Sequence, residues 1–153
     1  AFFLLLTLTI IPKYNKELKM TAKELVTQAS HFILDAINTN KKLNIKDIHV
    51  EQLDNTEIIR LLDVFVKLDN EMSSQYGKNY KVMVIILARK VFSVKSVKRL
   101  INNLNKISKI NISELTTVSD KDFIQTQVIM LALMFVMKGL MDENNNSFGA
   151  ENV

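Results

Sequence analysis

Residues 128–137 read VIMLALMFVM, ten apolar side chains in succession. A helix that is apolar on every side must be enclosed by other elements or by lipid. Gln127 and Lys138 bracket the run. Ten helical residues rise only about 15 Å, half the ~30 Å hydrocarbon core of a bilayer. The run therefore predicts the central helix of a packed domain, spanning 120–142, with two-faced helices around it. Ser119 or Asp120 is placed to cap its start, and Asp120 and Asp122 suit its positive end.

The sheath is legible in the same terms. Thr21 and Glu24 form a capping box, followed by Leu25, Val26, Ala29, Phe32, Ile33, Ala36 and Ile37 at helical spacing. The asparagine-rich NTNKKLN stops that helix, and a short element through Ile45 and Ile48 leads to Leu53. Asp54 and Glu57 make a second capping pair, with Leu53 and Ile58 set for a hydrophobic staple. The second helix runs to about Ser74 before Gly77. Its broad apolar face predicts burial on more than one side.

A third segment, from about Asn79 to Val91, contains KVMVIILA at 81–88. That stretch also suits a buried strand. It is read as helix because no partner strand is evident apart from the N-terminal run. A fourth helix spans 94–108, with Val94, Val97, Leu100, Ile101, Leu104 and Ile107 inward. Three glycines and one proline are too few for a protein of many tight turns. The prediction is an all-α, single-domain bundle of about five helices around the C-terminal one. Viral Bcl-2-like proteins share such a buried central helix; none of their sequence motifs is present, so the likeness is one of architecture.

Residues 20–142 form the expected helical domain, and 143–153 a polar tail. Residues 1–19 stand apart: AFFLLLTLTIIP is apolar to Ile11 and closed by Pro12. It reads as a sequence foreign to a domain starting at Met20, as a segment packed on that domain, or as the end of a membrane helix flanked by Lys13, Lys16 and Lys19. The chain has no cysteine, which excludes disulfides and thiolate sites and leans to a reducing, cytoplasmic setting.

Catalytic chemistry finds little footing. His31 and Asp35 share a helix face, but two ligands do not make a zinc site, and His49 stands alone. There is no nucleophile elbow and no glycine-rich phosphate loop. No catalytic, metal or cofactor residue is assigned. The expectation is a non-enzyme, with an enzyme of unrecognised site as the most distant alternative.

Two patterns point to partners instead. Met130, Met134, Met137 and Met141 form one stripe, the kind of flexible surface that accepts a partner helix. Lys95, Lys98, Arg99, Asn102, Asn103 and Lys106 fall on one side of the fourth helix. In a chain of net charge +4, that face suits an acidic protein or a nucleic acid. The longer segment LARKVFSVKSVKRLINN resembles the helix-turn-helix of bacterial repressors of the lactose-repressor type. Ser93, Ser96, Val97, Arg99 and Asn102 would lie in the reading unit. Val91 stands where that motif carries a glycine of positive φ.

The first expectation is thus a helical adaptor working through protein contacts, from a phage, virus or low-GC bacterium. The alternative is a DNA-binding regulator, as a homodimer, using the 94–108 helix. A membrane contact would run only through residues 1–19.

Overall fold

A computed structural model of the chain describes residues 20–107 and 121–151. Among the described residues five α-helices carry the fold: α1 (Ala22–Thr39), α2 (Asn55–Tyr76), α3 (Tyr80–Val91), α4 (Val94–Ile107) and α5 (Lys121–Glu151). A single 3-10 turn, Ile45–Asp47, lies between α1 and α2. Residues 1–19 and the expected caps Ser119 and Asp120 fall outside the described residues.

The central rod is α5, which packs against each of the other four helices. Val128, Ile129, Leu131, Ala132 and Leu133 are fully enclosed. By length and composition the Lys121–Glu143 part could cross a membrane, and 67% of its apolar window is buried inside the bundle. The helix does not stop near 142 but continues through Gly139 to Glu151. An internal glycine weakens a helix by about 1 kcal/mol relative to alanine, too little to end one already propagating.

Caps set the other boundaries. The Thr21 hydroxyl accepts from Glu24 N–H at 3.1 Å. Asn40 closes α1 in the left-handed conformation, its N–H reaching the Ala36 and Ile37 carbonyls. Asp54 accepts from Glu57 N–H at 2.9 Å, and Leu53 and Ile58 are both buried as a staple requires. Gly77, at φ 83°, ends α2. The 81–88 stretch is helical, and no strand occurs among the described residues.

Several inward assignments are overturned. Phe32 is 45% exposed and Val94 is 74% exposed. α2 buries a single stripe, Ile58, Leu61, Leu68 and Met72, and leaves Ile59 and Val66 outside. Apolar count widens a predicted face, yet α2 meets its neighbours on one side only.

The 41–48 segment straps the α3–α4 corner. Leu43 pairs with Phe92 in a one-residue parallel bridge, through Leu43 N–H to Val91 C=O and Ser93 N–H to Leu43 C=O. Lys42 Nζ donates to the Arg89 and Lys90 carbonyls, a cation on the negative end of α3. Gln125 of α5 donates to the Ile45 and Ile48 carbonyls at 2.9 and 2.8 Å. Ion pairs join α2 to its neighbours, Lys81 to Asp69 and Lys138 to Glu71. Tyr76 donates to Asp142 Oδ1 at 2.6 Å, and that bond, helped by burial, pushes the phenol up to about 12.

Candidate functional site

The basic side of α4 is divided. Lys95, Lys98 and Asn102 are exposed. Arg99 turns to α5 and pairs with Asp122, and Asn103 Nδ2 donates to the buried Thr126 hydroxyl at 3.1 Å. The Lys106 side chain lies outside the described residues. Periodicity places all six on one outward face; in the fold, the N-terminal part of α5 covers one edge of it.

Of the helix-turn-helix likeness, Ser93, Ser96, Val97 and Arg99 are engaged internally, and Asn102 stays exposed. Ser93 caps α4, accepting from Ser96 N–H at 3.3 Å and donating to Asn44 Oδ1 at 2.9 Å. Ser96 is buried, and its hydroxyl accepts from Ile45 N–H at 2.8 Å. The start of α4 thus lies under the 41–48 strap. Val91 remains helical, and the corner turns through extended Phe92 (φ −103°, ψ 154°) rather than a left-handed residue.

The methionine stripe faces inward. Met134 and Met137 are 1% and 8% exposed, and Met130 and Met141 pack half-buried against the same core. They fill the interior, as a flexible thioether does well.

The opening lies elsewhere on α5. Phe135, beside Met134, is 42% exposed, whereas its neighbours from Phe123 to Met137 are mostly enclosed. It lines a groove of about 760 Å³ between α1 and α2, with Leu131 at the same face. Val26 and Leu34 of α1 and Leu61 and Val64 of α2 complete the apolar lining. Leu34 and Val64 are 39% and 40% exposed. From Ala22 to Leu34 the α1 wall runs about 18 Å, room for roughly three turns of a docked helix.

Charge sits at the mouth. Glu57 Oε2 accepts from Ala22 N–H, and its other oxygen binds Arg60 at 2.7 Å. Asp63 is paired with Lys67. Both carboxylates lining the groove are therefore occupied, and Lys23 is the cation there that keeps no partner among the described residues. His31 also lines the groove. Among the described residues no three His, Asp or Glu side chains gather as a metal set.

One signal of this groove is present in the sequence. Leu34 falls off the Leu25–Ala29–Ile33–Ala36 stripe, an apolar residue with no place in the core. Phe135 carries no such mark, because every neighbour in its run is apolar. Comparison with protein families, curated proteins and solved structures finds no match to this chain.

Proposed function

We propose that this protein is a non-enzymatic binding protein whose α1–α2 groove receives an amphipathic α-helix of a protein partner. The observation that carries the reading is Phe135, a large apolar side chain left 42% exposed in the mostly enclosed 123–137 stretch of α5, inside a groove. Helix-in-groove recognition uses such a floor, with apolar anchors at i, i+3, i+4 and i+7 of the incoming helix. Among the described residues the unpaired charge at the mouth is Lys23, so the fitting partner flanks its apolar stripe with Asp or Glu. A cysteine-free chain suits such work in a reducing compartment.

The test is a panel of labelled amphipathic helical peptides, acidic-flanked and lysine-flanked, titrated against the full chain by fluorescence anisotropy. Acidic-flanked members should bind saturably and more tightly. Leu34→Glu and Phe135→Lys should abolish binding with circular dichroism unchanged. Failure of every peptide to saturate, or binding indifferent to both variants, removes the reading. The second reading, a DNA-contacting regulator, rests on exposed Lys95, Lys98 and Asn102. It predicts a duplex shift that weakens steeply with salt and is lost on Lys95→Glu with Lys98→Glu.

A further inference from the structure

A second, smaller cleft of about 340 Å³ opens where the 3-10 turn, α4 and the start of α5 meet. It differs from the groove in chemistry. Lys46, Arg99 and Lys121 line it with His49, against one carboxylate, Asp122. That carboxylate already accepts from Arg99. The side chains of Lys46, His49 and Lys121 are exposed and make no ion pair among the described residues. Three cations are thus held around one small concavity that, among the described residues, has a single, engaged counter-charge. Like charges so placed repel, and a bound anion relieves the repulsion.

The fold fixes this convergence from three directions. Gln125 clamps the Ile45 and Ile48 carbonyls, which anchors the turn carrying Lys46 and His49 against α5. The Ser96–Ile45 bond ties the same turn to α4, one turn before Arg99. Arg99 offers five N–H donors in a planar fork, more than the bond to Asp122 uses. Lys46 and Lys121 add rotatable ammonium donors, and a neutral or charged imidazole supplies at least one more N–H.

The geometry points to a binding site for a phosphomonoester group, formed by Lys46, His49, Arg99 and Lys121. Tetrahedral phosphate oxygens match several donors converging from different elements, and Arg with Lys is the usual pairing for them. A dianion also balances the local charge better than a monoanionic diester. The site is a compact cleft rather than a track along the surface, which favours a single terminal phosphate over a nucleic-acid backbone. The cleft shares no residue with the peptide groove, so the two sites stand or fall separately.

The test is titration of the isotope-labelled full chain, at constant ionic strength, with inorganic phosphate, O-phosphoserine and a short DNA duplex in separate arms. Amide NMR shifts should saturate with phosphate and phosphoserine and cluster at 46–50, 99 and 121–125. Lys46→Gln and Lys121→Gln should each weaken binding about tenfold, the loss of one charge-assisted hydrogen bond. Both side chains are exposed, so the folded spectrum should persist. Shifts that never saturate, or that ignore both variants, mean an adventitious ion only and overturn the site. A response to duplex alone, spread along Lys95, Lys98 and Asn102, overturns it as well.

Discussion

The Glu57 carboxylate of α2 caps a different helix: its Oε2 accepts the Ala22 N–H of α1 at 2.9 Å. The amide it satisfies is one of the orphan donors at the α1 start, beside the one taken by Thr21. Two helices are thereby locked at the mouth of the groove. Glu57→Ala should destabilise the fold by about 1–2 kcal/mol, as loss of a helix cap does. Glu57→Gln, which keeps an acceptor, should lose less. Thermal unfolding of the three proteins gives the order.

Tyr76 makes stability sensitive to alkali. Its phenol is raised from an ordinary value near 10 to about 12 by the bond to Asp142. Between those values the folded state holds a proton that the unfolded state has released. The contribution is therefore complete below pH 10 and lost as pH rises through 12. Denaturant midpoints measured from pH 9 upward should fall more steeply for the native chain than for Tyr76→Phe.

Met134 belongs to the core and not to an interface. Met134→Ala should lower stability by about 2–5 kcal/mol, the range for a buried large-to-small change. Met134→Lys should unfold the chain, because an unpaired ammonium would enter a site that is 1% exposed. Circular dichroism and urea titration separate this outcome from selective loss of binding.

Two glycines should answer oppositely to alanine. Gly139 lies inside α5, and a Cβ added there would meet nothing within 4 Å, so Gly139→Ala should stabilise by about 1 kcal/mol. Gly77 holds φ 83°, a region that side chains resist. Gly77→Ala should therefore lose about 1–3 kcal/mol. Melting temperatures moving in the same direction would contradict this assignment.

Ser96 is the buried link between strap and corner. Ser96→Ala removes the acceptor of Ile45 N–H and leaves that amide unpaired. The loss should be about 1–3 kcal/mol. Hydrogen exchange at Ile45 should accelerate more than exchange in α2.

The helices were legible because their codes are local. Thr21, Asp54 and Asn40 act within a turn of where they stand, and the all-apolar 128–137 run marks a helix that its neighbours enclose on nearly every side. Contacts across long separations were not legible. A capping pair such as Asp54 and Glu57 reads as self-contained, yet Glu57 serves Ala22. Arg99 and Asn103 have the spacing of a free polar face, and only the approach of Asp122 and Thr126 decides that they are held. The same holds for α5: period alone cannot say that Met134 looks in and Phe135 looks out.

The order of synthesis adds a consequence to the placement of α5. The four sheathing helices leave the ribosome before the rod on which they close. Until it emerges, stripes such as Leu25–Ile33 and Leu61–Met72 have no surface to cover them. The nascent chain must stay unaggregated with its oily faces bare, and its final compaction waits on completion of the fifth helix.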